Sequence, residues 1–213
     1  MKFSELKTDE NGLVPAVVQN FRTGKVLMLG YMNEEAFNDT LRTGKVCFYS
    51  RSRKTQWLKG ETSGNYLNLR EMHADCDYDT LLVKADPDGP TCHTGAESCF
   101  FRDVVVSEED ESAEILFELQ DVIEGRKEGV KSLEKMPTKY EGSYTQYLFI
   151  EGIDKICKKI GEESAETIVA AKNDDKEEII NEASDLVYHL MVLLSDREVR
   201  IEDIFVNLNK RHS

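Results

Sequence analysis

The chain has 213 residues, enough for one large domain or two small ones that each bury a core, and 41 acidic against 27 basic side chains give it a formal net charge of −14. So acidic a chain is ill suited to duplex nucleic acid, because phosphate neutralisation needs a basic face, although it can meet phosphates through divalent cations. Five cysteines, no apolar leader in "MKFSELKTDENGLV" and no apolar run of membrane length, the one around "LVYHLMVLL" being far too short, predict a cytoplasmic chain whose thiols ligate metal or are simply buried.

From residue 13 to about 106 the pattern predicts strands: "LVPAVVQN", "VLMLGYM", "KVCFYSRS", "YLNLREMHADCDYDTLLVKAD" and "SCFFRDVVV", separated by Gly-rich and Asp/Pro-rich turns. One helix interrupts them, with Asn33 as its cap, Glu34 and Glu35 in its first turn and Gly44 near its end. This half reads as α+β with a mainly antiparallel sheet.

The loop "SRSRKTQWLKGETSG" carries Arg51, Arg53, Lys54 and Lys59 against Glu61 alone. That suits a phosphate-bearing ligand whose ring stacks on Trp57, and it also suits a solvated loop.

In "HADCDYD", an extended strand would put Asp75, Asp77 and Asp79 on one face and Cys76 on the other. Three such carboxylates repel unless a hard cation such as Mg²⁺ neutralises them, or unless they form an exposed acidic edge. With Cys92 and Cys99 of "CHTGAESC", Cys76 offers three thiolates, which leave tetrahedral Zn²⁺ one position for water; small buried cysteines are the alternative. Cys47 and Cys157 fit that simpler description. His93 is a proton shuttle or a hydrogen-bonded side chain.

After the acidic "SEEDESAE" the spacing becomes helical, through Ile115, Leu116, Leu119, Val122 and Ile123, then Ile153, Ile156 and Ile160, then Ile179, Ile180, Ala183, Leu186, Val187 and Leu190. A last amphipathic segment, "IEDIFVNLNKRH", completes a small helical bundle. The expected domains are 1–107 and 114–213, joined by an acidic linker at 108–113. Glu163 and Glu166 are three apart, as are Glu182 and Asp185, so each pair shares a helix face. If the helices pack antiparallel through "KNDDKEE", the four carboxylates converge on a patch able to hold Mg²⁺; singly, each pair is a solvated face.

"SRSRKTQWLKGETSGN", "HADCDYD" and "CHTGAESCF", in that order, resemble phosphoribosyl-AMP cyclohydrolases of histidine biosynthesis, over about residues 13 to 105. Gln56 stands where an apolar residue is expected before Trp57. "KKIGEESAET" and "NEASDLVYHLMVLL", with "GSYTQYLF" and "NLNKRH", resemble phosphoribosyl-ATP pyrophosphatases of the all-α, MazG-like class, over about residues 114 to 212. The first resemblance implies Zn²⁺ on Cys76, Cys92 and Cys99, Mg²⁺ on Asp75, Asp77 and Asp79, and a homodimer whose zinc site takes cysteines from both subunits. It implies attack of a zinc-activated water at C6 of adenine, as in zinc base deaminases, here opening the bond to N1. His93 would assist proton transfer, and Arg51, Arg53, Trp57, Lys59, Glu61, Thr62 and Ser63 would hold substrate.

The second resemblance implies Mg²⁺ on Glu163, Glu166, Glu182 and Asp185, joined by Glu162, and cleavage of phosphoribosyl-ATP to phosphoribosyl-AMP and pyrophosphate. Lys155, Lys158 and Lys159 would meet phosphates, and His189 would support the Asp185 carboxylate. The expectation is a bifunctional hydrolase with small-molecule substrates and neither a nucleic-acid nor a membrane partner. Its rivals are a MazG-like nucleoside triphosphate pyrophosphohydrolase with an inactive zinc domain, and a zinc-bound interaction module with a helical dimerisation tail.

Overall fold

The computed structural model describes residues 1–105, 112–131 and 143–212. The chain divides into two compact units, residues 1–111 and 112–213. Residues 108–111 of the expected acidic linker lie outside the described residues, as do Val106 and Gly142.

Alternation of apolar and polar residues builds the first unit. Strand β1 (Val14–Asn20) buries every second residue, Val14, Ala16, Val18 and Asn20. It pairs antiparallel with β2 (Val26–Met32) across a turn in which Gly24 takes φ 81°. Asn33 then caps helix α1 (Glu34–Thr43), its Oδ1 accepting from Ala36 N at 2.9 Å, and Gly44 ends the helix in the left-handed region.

Strands β3 (Cys47–Ser50) and β4 (Thr55–Leu58) form a hairpin. Strands β5 (Leu67–Ala74) and β6 (Leu81–Pro87) form another, and β6 also lies parallel to β1, giving the sheet order β2-β1-β6-β5. The sheet is therefore mainly antiparallel with one parallel pair. Leu27, Met32, Phe48, Leu67, Leu81 and Val83 fill the core that α1 closes, each worth roughly 1.5–3 kcal/mol in burial. A Cβ on Gly30 would lie 2.3 Å from the Phe48 ring, so only glycine lets β2 pass so close to β3.

Two expectations fail here. The segment "YLNLREMHADCDYDTLLVKAD" is a hairpin with a turn at residues 75–80, so "HADCDYD" is not a strand beyond Ala74. Tyr78 takes φ 66°, and its carbonyl accepts from Lys7 N at 2.7 Å. "SCFFRDVVV" forms no strand over residues 98–105, because it finds no partner strand there: Val104 and Val105 are 96% and 89% exposed.

The second unit is all helical: α2 (Ile115–Lys131), α3 (Tyr144–Glu151), α4 (Ile153–Lys172), α5 (Lys176–Asp196) and α6 (Ile201–His212). Ile123, Leu148, Ile156, Met191 and Val192 meet in its core. A three-residue turn reverses α4 into α5, and Asp175 caps α5 by accepting from Glu178 N at 3.2 Å. Helix α6 docks on α2 through a Phe117–Phe205 edge contact, centroids 5.8 Å apart, and through Gln120 Oε1, which accepts from Ile201 N at 3.0 Å. No described helix is long and apolar enough to cross a membrane.

Candidate active sites

The first site is a cleft of about 450 Å³ whose lining includes Met28, Trp57, Lys59, Thr62, Ser63, Cys92, His93 and Cys99. Its thiols sit on a tight loop. Thr91 N donates to Glu97 O and Cys92 N to Ala96 O, both at 3.0 Å, with Gly95 at φ 91° turning the tip. Ser98 Oγ donates to Val26 O at 2.7 Å and Cys99 N to Leu27 O at 2.8 Å, which fastens the loop to β2. Gly60 (φ 93°), whose Cβ would fall 2.5 Å from Asn65 O, folds the "KGETSGN" loop over the other side.

Electrostatics separate the two thiols. The Thr94 hydroxyl donates to Cys92 Sγ at 3.1 Å and, with nearby backbone N–H groups, holds that thiol below the ordinary range. Desolvation and the neighbouring Cys92 push Cys99 up, although its side chain is largely exposed. Burial pushes the Lys59 ammonium down. Together these give a soft, two-thiol donor set, part of the shell that zinc takes, in a cleft that Lys59 also lines.

Cys76 is exposed on the turn after β5, and no third cysteine, histidine or carboxylate groups with Cys92 and Cys99 among the described residues. Contrary to the strand expectation, the turn after Ala74, not side-chain alternation, sets the direction of Cys76. The same turn still gathers Asp75, Asp77 and Asp79, whose carboxylates offer ligand atoms all within 4.8 Å of one another. Asp75 Oδ1 accepts from Asp79 N at 3.0 Å and Thr80 N at 3.2 Å. Against the cost of desolvation, these bonds hold its carboxyl below the ordinary value. Such hard oxygen donors fit Mg²⁺.

Arg51 and Arg53 line an adjoining cleft of about 410 Å³, which shares Trp57 with the first. The Arg51 guanidinium stacks 3.7 Å from the Tyr31 ring centroid. Glu61 is exposed and lines neither cleft. Gln56, the unexpected residue, donates from Nε2 to Asn33 Oδ1 at 2.9 Å and so ties β4 to the cap of α1.

In the helical unit Glu163, Glu166 and Glu182 converge, their ligand atoms within 4.8 Å of one another. Glu163 is 4% exposed and takes Lys159 Nζ at 2.6 Å, which holds its carboxyl low. Desolvation and the nearby Glu166 push Glu182 up. A carboxylate shell under mutual repulsion fits a divalent cation.

Asp185, exposed, does not join this group of three, and Glu162 is engaged by Lys158 and Lys159 at 3.2 and 3.1 Å. Those two lysines therefore contact carboxylates, while Lys155 sits 6.0 Å from the Tyr147 ring centroid. His189 also differs from expectation. Its Nδ1 donates to the Asp185 backbone carbonyl at 2.8 Å, which leaves Nε2 to bond the Tyr144 hydroxyl at 3.1 Å. Sequence reasoning missed Thr94, Asn65 and Tyr144. Thr94 stood within "CHTG", and its reach to Cys92 two residues back was the available signal.

A family model described as phosphoribosyl-AMP cyclohydrolase matches residues 28–101, and one described as phosphoribosyl-ATP pyrophosphohydrolase matches residues 131–212. The chain is similar to proteins named "Histidine biosynthesis bifunctional protein HisIE". That of Caldanaerobacter subterraneus subsp. tengcongensis is 50% identical, over 98% of this chain and 97% of its own. That of Bacteroides thetaiotaomicron is 48% identical over 98% and 97%, and that of Bacillus subtilis 48% over 98% and 96%.

Proposed function

The chain belongs to the HisIE family of bifunctional histidine-biosynthesis proteins, and on that premise we propose how its side chains divide the two hydrolyses. It is both a phosphoribosyl-ATP pyrophosphohydrolase and a phosphoribosyl-AMP cyclohydrolase. Residues 114–213 carry the first activity, residues 1–107 the second, and the acidic stretch 108–113 joins them.

In the cyclohydrolase half, Cys92 and Cys99 hold zinc together with Cys76 of the partner subunit. In this reading the protein is a homodimer, and the exposure of Cys76, outside the pair formed by Cys92 and Cys99, supports it. Asp75, Asp77 and Asp79 hold magnesium, whereas Glu163, Glu166 and Glu182, with Asp185 one turn further on, hold it in the helical half. When bound, zinc supplies an activated water for adenine C6, and magnesium offsets the charge of the triphosphate.

The chain's own groups do the rest. Trp57 stacks on the purine between the two clefts. Thr62 and Ser63 hydrogen-bond the sugar–phosphate, and Arg51 and Arg53, with Glu61 nearby in the chain, hold the outer phosphoribosyl group. As the C6–N1 bond opens, N1 needs a proton, and His93, beside Cys92 on the cleft wall, delivers it. Lys159 and the Tyr144–His189 pair hold Glu163 and the α5 backbone in place. A cytoplasmic location belongs to this reading, since thiol ligands stay reduced there.

The separation of two ligand sets, the Cys92–Cys99 pair with an aspartate group in one unit and a glutamate group in the other, carries the proposal. The test gives the purified protein phosphoribosyl-ATP with Mg²⁺ and Zn²⁺ and reads products by mass spectrometry. Wild type should yield pyrophosphate and phosphoribosyl-AMP plus one water. Cys92→Ala should stop at phosphoribosyl-AMP, and Glu166→Ala should leave the substrate intact. Ring opening at the wild-type rate by Cys92→Ala would overturn the assignment.

A further inference from the structure

Arg51 directly follows β3, and Tyr31 stands on β2, an edge strand of its sheet. Gly30 lets β2 pass close to β3, and there the Arg51 guanidinium carbon lies 3.7 Å from the Tyr31 ring centroid. Arg51 makes no hydrogen bond or ion pair among the described residues. Asp9 lies within its electrostatic reach, but the Asp9 Oδ1 accepts from Asn11 N and Leu13 N, at 2.8 and 2.9 Å. Arg53, by contrast, donates from Nε to Ser50 Oγ, 3.4 Å away. Among the described residues no aspartate or glutamate lines the cleft of about 410 Å³ that both arginines share with Tyr31.

A carboxylate partner would occupy the same N–H edge of Arg51 that a phosphate needs, and would cancel the charge that attracts it. An aromatic face restrains the guanidinium plane and takes none of its five N–H donors. An exposed arginine with nothing beneath it would lose its rotamer freedom only when the ligand binds, at a cost in affinity. The contact is with the ring face, so the tyrosine hydroxyl has no part in it.

We propose that Tyr31 is a positioning residue for substrate recognition: its ring holds the Arg51 guanidinium in the cleft with its donors free for the outer phosphate of phosphoribosyl-AMP. This rests on the reading of Arg51 as a substrate contact, and Tyr31 acts through Arg51 without touching the substrate itself.

The experiment is a double-mutant cycle on ring opening of phosphoribosyl-AMP by the full-length protein with Zn²⁺ and Mg²⁺, using Tyr31→Leu, Arg51→Met and the two combined. Tyr31→Leu should raise KM about two- to tenfold, the effect of ordering one free arginine side chain on binding, and leave kcat unchanged. Tyr31→Phe keeps the ring face and should restore the wild-type KM. In the Arg51→Met background Tyr31→Leu should change nothing further, because the side chain it positions is gone, whereas a purely structural role would persist in both backgrounds. If Tyr31→Leu does not fold, Tyr31→Val, better suited to a strand, carries the same comparison. An equal rise in KM in both backgrounds, or a fall in kcat at constant KM, would overturn the proposal. An unchanged KM in Arg51→Met alone would remove Arg51 from the substrate site, and this inference would go with it.

Discussion

Thr94 decides the state of Cys92. Its hydroxyl donates to Sγ at 3.1 Å and stabilises the thiolate over the thiol. Thr94→Val should therefore move the Cys92 titration upward and slow alkylation of the metal-free protein by iodoacetamide near neutral pH, on the order of several-fold. An unchanged pH–rate profile would contradict this. In the helical unit, Glu163 and Glu182 have opposite pH signatures. Glu163 is held low by Lys159, so its contribution to stability is present above its unfolded pKa and fades as pH falls through the folded value. Glu182 is pushed up by desolvation and Glu166, so its contribution is present below its unfolded pKa and is lost as pH rises through the folded one. Near neutrality Glu182 is thus a liability that a cation relieves. Glu182→Gln should raise the melting temperature without Mg²⁺ and abolish the rise that Mg²⁺ gives the wild type. Thermal unfolding with and without Mg²⁺ tests both, and a variant still stabilised by Mg²⁺ would refute the assignment.

At the scale of elements, Asn33 ties α1 to β4. Its Oδ1 accepts both from Ala36 N, inside α1, and from Gln56 Nε2 on β4, each at 2.9 Å. Asn33→Ala should cost about 1–2 kcal/mol in urea unfolding, the upper part of the range for a lost cap, because the Gln56 amide loses its partner too. A cost near zero would mean water replaces both bonds. The cap itself was legible, since Asn followed by two glutamates is a local signal. The buried stripe of α5 was legible only in part. Ile180, Val187 and Leu190 are 66%, 42% and 39% exposed, whereas Met191 and Val192 are in the core. Periodicity identifies an apolar side, but only the neighbouring α2, α3 and α4 select which part of it they cover. The reversal within "HADCDYD" was illegible for a related reason. An alternating pattern continues through the turn, and what breaks the strand is the Asp75 carboxylate accepting two backbone N–H groups while Tyr78 adopts φ 66°.

At the scale of the molecule, two units each carry their own ligand chemistry, soft thiols in one and hard carboxylates in both. The proposed cation sites would reconcile a net charge of −14 with polyphosphate substrates, since acidic groups that recruit divalent cations neutralise the phosphates. The sequence by itself determined the two fold classes, because a period of two and a period of 3.6 are local properties of the chain. It also determined the family, through motifs whose residue types cannot be exchanged without losing their chemistry. Only the tertiary structure decided that Lys59 is buried beside Cys92 and Cys99 although they are far apart in sequence. It alone decided that Cys76 stays outside that pair, and that Glu182 and not Asp185 closes the group with Glu163 and Glu166. These are distances between segments remote in the chain, set by which faces the cores bury, and no local pattern encodes them.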